Sequence, residues 1–270
     1  MSVLARNAVA VRGSGEKPML FLHGYGCDQR IWGQIVPWFE ATHKVVLLDH
    51  VGSGRSDRAA YDKLRYATLH AYADDLIEVC DALDLRQADV LAHSVACMIT
   101  LLAAKKRPDL FDRVMLLGPS PCYVDDDGYA GGFTHQDMDD LLSMLALNHE
   151  AWSAQMAPLV MGNAGRPELA DQLEGFFCRN DPGIIHHFAG VVFRSDHRAD
   201  IAGQTTPCLI MQCQDDIVAP MAVGMYLRGV LPASELMVLD AHGHYPQLSA
   251  PETVIEAVKC YMARPAARAA

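Results

Sequence analysis

Val90-Leu91-Ala92-His93-Ser94-Val95-Ala96-Cys97-Met98 is the stretch on which the reading of this chain turns. An apolar run ends in His-Ser, and an apolar helical pattern begins at once. A sharp strand–turn–helix of this kind pushes a serine hydroxyl out above the end of a sheet. The helix N-terminus there favours developing negative charge. A serine at a helix start is also what an ordinary N-cap looks like, and the segment alone supports both readings equally. The G-x-S-x-G pattern usual for a nucleophile turn is broken, because Ala92 and Ala96 stand at both glycine positions. Each adds a methyl group where helix and strand pass closely. Overpacking of that size costs about 1–3 kcal/mol when it is not accommodated.

Working outward, further short apolar runs read as strands at 19–22, 45–49, 89–92, 114–117, 208–213 and 236–239. They are continuous rather than alternating, as strands buried on both faces are. Helical spacing appears between them at 69–83, 95–106, 221–231 and 253–261. The alternation implies an α/β fold, a mostly parallel sheet with helices on both faces. Residues 3–11, with the Gly13-Ser14-Gly15 turn, read as an antiparallel edge hairpin. Between about 122 and 200 the alternation stops. Four helices are expected there, at 135–147, 150–161, 167–178 and 182–194, punctuated by Gly162-Asn163, Arg166-Pro167 and Asp181-Pro182. Pro at the first helical position suits the last two starts. The expected organisation is a core of 1–121 and 201–270 with a helical insertion at 122–200. The Ala/Arg-rich 264–270 tail reads as a frayed end.

The formal net charge of −11, with no basic run, excludes a nucleic-acid binder. No apolar stretch reaches the roughly 18–20 residues of a membrane span, and residues 1–12 lack the apolar centre of a signal peptide. The expectation is a cytoplasmic protein. The eight cysteines form no C-x-x-C pair, and most lie in apolar runs, so they read as buried free thiols in a reducing compartment.

A serine nucleophile needs a base and an acid that orients it. Asp215-Asp216-Ile217-Val218-Ala219-Pro220 follows the 208–213 run, and Ala241-His242-Gly243-His244-Tyr245-Pro246 follows the 236–239 run. Both lie at the carboxyl ends of strands, where open α/β sheets build their sites. Ser, then Asp, then His is the chain order of one known arrangement. From the residues, Asp215 competes with Asp216 and His242 with His244. The acidic pair could equally be a solvated turn, and the histidines could be surface groups or metal ligands. No Cys or Glu stands nearby at a metal-motif spacing, so neither metal nor cofactor is expected. Phe21-Leu22-His23-Gly24-Tyr25-Gly26 ends an early strand in a glycine-flanked turn. The Tyr25 and Val95 N–H groups would form an oxyanion hole. Asp49 to Asp57 (DHVGSGRSD) is glycine-rich but lacks the lysine of a phosphate loop, so it reads as a turn.

Together, His23 to Gln29, DHVGSGRSD, Gly118-Pro119-Ser120-Pro121-Cys122-Tyr123, Ser195-Asp196-His197-Arg198, Asp216 to Pro220 and Gly243 to Ser249 resemble the RsbQ-like subfamily of α/β-hydrolases. That subfamily includes the plant karrikin and strigolactone receptors. The resemblance runs from about 20 to 261. It implies the α/β-hydrolase fold with a four-helix V-shaped cap. It assigns Ser94 as nucleophile, Asp216 as acid and His244 as base. It also implies an apolar pocket lined by Tyr25, Tyr123, Phe133, Trp152, Phe193 and Val218, although lid helices need apolar faces for packing in any case. The family's elbow is normally G-H-S-x-G, and this chain departs from it at Ala92 and Ala96.

Two functions follow as expectations. One is a serine esterase or lactonase acting on a small apolar ester or lactone. The other is a slow-turnover sensor with a signalling protein partner. The resemblance implies a monomer. Dehalogenases and epoxide hydrolases carry aspartate at the elbow, where this chain has Ser94; a carbon–carbon bond hydrolase would keep the serine.

Overall fold

The computed structural model describes residues 1–264; the remainder of the tail expected to fray, 265–270, lies outside them. Seven strands form one sheet: β1 (Ala10–Arg12), β2 (Lys17–Leu22), β3 (His43–Leu48), β4 (Ala88–His93), β5 (Phe111–Leu117), β6 (Cys208–Cys213) and β7 (Ser234–Leu239). Their order is β1-β3-β2-β4-β5-β6-β7, and every pairing is parallel except β1 with β3. β4 stands at the centre with all six residues buried. Its end is in register with its neighbours, Ala92 opposite Leu22 and His93 opposite Leu117. The motif serine therefore leaves the sheet at its middle.

Helices cover the sheet: α1 (Val3–Arg6), α2 (Leu69–Ala82), α3 (Val95–Lys106), α4 (His135–Leu147), α5 (His149–Met161), α6 (Pro167–Phe177), α7 (Pro182–Phe193), α8 (Arg198–Ile201), α9 (Met221–Val230), α10 (Pro246–Ser249) and α11 (Pro251–Met262). Among the described residues no helix is long and apolar enough to cross a membrane. All eight cysteines are free; six are buried, while Cys178 and Cys260 are exposed.

β2, β3 and β7 begin earlier than the apolar runs because their first residues, Lys17, His43 and Ser234, are polar. Lys17, at the start of β2, pairs with Asp89 and Asp112 at 2.9 Å each. The expected N-terminal hairpin does not form. Ser2 caps a short helix by accepting from the Ala5 N–H, and Arg6 pairs with Asp75 and Glu78 on α2. Only Ala10–Arg12 is extended, and it pairs with β3 rather than with its chain neighbour β2.

Helices α4 to α7 stand between β5 and β6, each started by a readable device. Thr134 and Asp137 form a capping box, Asn148 caps α5, and Asp181 accepts from the Gly183 and Ile184 N–H groups with Pro182 at the first helical position. Gly162 ends α5 in the left-handed conformation. Within this group α4 packs on α5 and α7, and α5 on α6.

Candidate active site

Ser94 adopts φ 56° and ψ −123°, a conformation that side-chain-bearing residues rarely take. Its N–H donates to the Leu117 carbonyl of β5 at 2.9 Å, and its own carbonyl accepts from Cys97 N–H at 2.9 Å. The hydroxyl makes no capping bond to α3; it meets His244 Nε2 at 2.8 Å. The turn forms with the methyl groups of Ala92 and Ala96 in place, both fully buried. Close approaches beside the reactive side chains fall instead on glycines. A Cβ on Gly24 would lie 2.5 Å from His93 Nδ1, and one on Gly118 would lie 3.1 Å from His244 Cε1.

His244 Nδ1 lies 2.7 Å from Asp216 Oδ2. The other oxygen, Asp216 Oδ1, accepts from the N–H groups of Val218 and Ala219 at 2.8 and 3.0 Å. A carboxylate can only accept, so Nδ1 carries the proton and Nε2 offers its lone pair to the Ser94 hydroxyl. All three residues are buried. Asp215 and His242 form a second pair beside this one, at 2.9 Å, but both side chains are more than half exposed. Burial raises the Asp215 pKa, but the His242 hydrogen bond and Gly243 N–H outweigh it and hold the carboxyl below its usual range. That outer pair links the two loops and does not reach Ser94. The two ambiguities of the sequence therefore separate by burial.

The backbone of His244 is held from two sides. Its N–H donates to the Val160 carbonyl of α5 at 2.8 Å, and its carbonyl accepts from His93 Nε2 at 2.8 Å. His93 is neutral, because burial and then the neighbouring His244 push its pKa well down. His50 is kept neutral by burial in the same way. The His50 N–H donates to His23 Nε2 at 3.1 Å, which leaves His23 Nδ1–H to donate to the Gly24 carbonyl at 2.9 Å. The DHVGSGRSD segment wraps Asp49, whose two oxygens accept from the Gln29 and Arg55 N–H groups at 2.8 Å each. It is a turn that supports the His23–Gly26 loop.

Among the described residues, neither the Tyr25 N–H nor the Val95 N–H has a protein acceptor. Both flank Ser94, one from the loop after β2 and one from the first turn of α3. The Tyr25 hydroxyl donates to the Ile185 carbonyl of α7 at 3.1 Å.

An apolar cavity of about 60 Å³ lies over Ser94 and His244. Of the residues expected to line it, Tyr25, Phe133, Trp152, Phe193 and Val218 do. Tyr123 is buried against Ser94 and packs edge-on to Phe193 at 5.3 Å. Met138, Leu141, Met156, Val160, Phe177, Ile217 and Tyr245 complete the lining and were not anticipated. For Met138, Leu141, Met156, Val160 and Phe177 the sequence signal is the apolar face of an insertion helix, which does not distinguish cavity from core, and Ile217 and Tyr245 come from the loops after β6 and β7.

The chain matches the family described as alpha/beta hydrolase fold over residues 17–156. It is 36% identical to the strigolactone esterase RMS3 of Pisum sativum, over 90% of this chain and 91% of that one. It is 34% identical to the karrikin insensitive 2 receptor CA of Petunia hybrida, over 92% of each. Among solved structures it is similar to olei00960, a hydrolase from Oleispira antarctica, with a TM-score of 0.93, 34% identity and 97% of each chain covered. The esterase EaEST of Exiguobacterium antarcticum shares the fold, with a TM-score of 0.89 at 19% identity over 98% of this chain and all of that one.

Proposed function

We propose, from the premise that this chain belongs to the α/β-hydrolase family, that it is a serine esterase or lactonase working through an acyl-enzyme on Ser94. The observation that carries the reading is the buried relay from Ser94 through His244 to Asp216, at 2.8 and 2.7 Å. In the reaction Ser94 Oγ bonds to the substrate carbonyl carbon while its proton passes to His244 Nε2. The carbonyl π electrons move onto oxygen, which the Tyr25 and Val95 N–H groups receive; each such donor is worth about 2.7–4 kcal/mol in related acyl transfers. Asp216 holds the imidazolium. The intermediate collapses, and the leaving alkoxide takes the proton from Nε2. Water then repeats the cycle on the acyl group, with His244 again as base.

Residues 122–200 act in this reading as a cap over the cavity. The apolar wall, with Ser94 and His244 as its reactive polar groups, supports a small apolar ester or lactone. At about 60 Å³ the cavity fits only a small group, far below the roughly 300–1,000 Å³ common for ligand sites. Met138 and Met156 in its wall have the flexible side chains that let a pocket widen. The test is release of nitrophenol from a short-chain nitrophenyl ester, together with labelling by a fluorophosphonate probe. Both are expected to vanish in Ser94→Ala, and an unchanged rate in that variant would refute the assignment.

The small cavity and the similarity to receptors favour a second reading, a slow-turnover sensor that signals through a partner protein. A ligand-induced thermal shift with less than one turnover per hour would select it.

A further inference from the structure

Three side chains outside the hydrolytic site converge where α2 meets α8. His70 lies in the first turn of α2, His197 immediately precedes α8, and Asp200 lies within it. One donor atom from each lies within 4.8 Å of the others. His197 Nδ1 is 2.8 Å from Asp200 Oδ2, and His70 Nε2 is 3.8 Å from that same oxygen. The two imidazoles meet edge-to-face with centroids 5.9 Å apart. His197 is only 6% exposed, and its Nδ1, not its Nε2, which has no hydrogen-bond partner among the described residues, is the ring nitrogen that faces Asp200.

We propose that His70, His197 and Asp200 bind a divalent transition-metal ion of the Zn²⁺ type. Tetrahedral zinc with ligands at about 2.0–2.2 Å sets ligand atoms roughly 3.3 Å apart. The two observed separations straddle that value, so small side-chain rotations suffice. Two imidazoles and one carboxylate favour zinc, cobalt or nickel over magnesium or calcium. The His70 and Asp200 side chains are about two-fifths exposed, which opens the site to an ion from solvent.

The backbone under these ligands is already fixed. His197 N–H donates to the Pro121 carbonyl at 2.8 Å, and Cys122 bridges to Asp196. Lys105 donates to the Asp200 carbonyl, and Lys106 donates to the His70 carbonyl and to Asp74. The two ammonium groups oppose a cation and hold the affinity below that of a four-ligand structural site. The ion would sit where the chain leaves the sheet at Pro121 and returns toward it at α8. It would tie both ends of the helical insertion to α2.

The test uses the whole chain stripped of metal and titrated calorimetrically with Zn²⁺, with the absorbance of added Co²⁺ as a second readout. One equivalent is expected to bind. His70→Ala and Asp200→Asn are each expected to weaken binding at least tenfold, and His242→Ala less than twofold. The half-exposed His70 ring makes the first variant safe for folding, and the melting temperature of wild type, not of His70→Ala, should rise with Zn²⁺. Absence of a one-equivalent site, a loss below tenfold in either ligand variant, or a loss of twofold or more in His242→Ala would overturn the proposal.

Discussion

Ser94→Gly should give a more stable protein than Ser94→Ala, although both lack the hydroxyl. Each variant loses the bond to His244 Nε2, worth about 1 kcal/mol, so that term cancels between them. What remains is backbone. At φ 56° and ψ −123° a residue with a Cβ stores about 1–3 kcal/mol of strain, which glycine does not. Glycine gives back about 0.5–1 kcal/mol through its greater freedom in the unfolded chain. The difference should therefore favour Ser94→Gly by about 1 kcal/mol at the mid-values, within a span of about 0–2.5 kcal/mol. For a chain of this size each kcal/mol moves the midpoint by about 2–4 °C, so the two melting temperatures should differ by about 2–4 °C at the mid-values. Parallel thermal and urea melts measure this, with fluorophosphonate labelling to show that neither variant reacts. An alanine variant as stable as the glycine variant, or more so, would mean that the turn is unstrained and the reasoning wrong.

Asp216→Asn should leave the fold intact by circular dichroism and lower kcat by about 10⁴, because an amide cannot both accept from His244 Nδ1–H and balance the imidazolium; a loss under tenfold contradicts the role given to this carboxylate. Gly24→Ala places a methyl group 2.5 Å from His93 Nδ1 and 3.1 Å from Ser94 Cβ, which should cost about 1–3 kcal/mol. The same change should disturb the Tyr25 N–H enough to lower kcat about 10²–10³-fold, and a kcat within twofold of wild type would refute it. Stability should fall as pH drops below about 6.5. The unfolded chain takes up protons on His50 and His93 there, while the folded chain, with both pKa values depressed by burial, refuses them. Each histidine contributes a slope of up to about 1.4 kcal/mol per pH unit until its folded pKa is reached. Asp75 and Asp89, whose carboxyls burial raises, act oppositely upward from an unfolded value of about 3.9. Urea midpoints between about pH 7 and 5.5 read the net effect, and a midpoint that rises as the pH falls would count against it.

The sheet was legible because its central strands are buried on both faces, so mostly apolar runs such as 208–213 mark them, while the edge strand Ser234–Leu239 is partly exposed. The insertion helices were legible because caps and prolines frame them. The N-terminus was not: Val3–Arg6 is apolar enough for a strand, and only Ser2 and the distant Asp75 make it a helix. The order of Ser94, Asp216 and His244 could be read from the chain, but their contact could not, since residues 150 positions apart meet only through the sheet. A comparable separation hid His70 from His197 and Asp200, and a search for metal ligands confined to local spacing could not join them.

The bond from His244 N–H to the Val160 carbonyl makes one amide proton a reporter for a whole helix. If α5 lifts, that proton loses its acceptor, and the imidazole loses half of what fixes its backbone. Exchange of this single amide with deuterium would then count openings of the insertion, one by one. Each opening would also remove one of the two backbone bonds that hold the base facing Ser94.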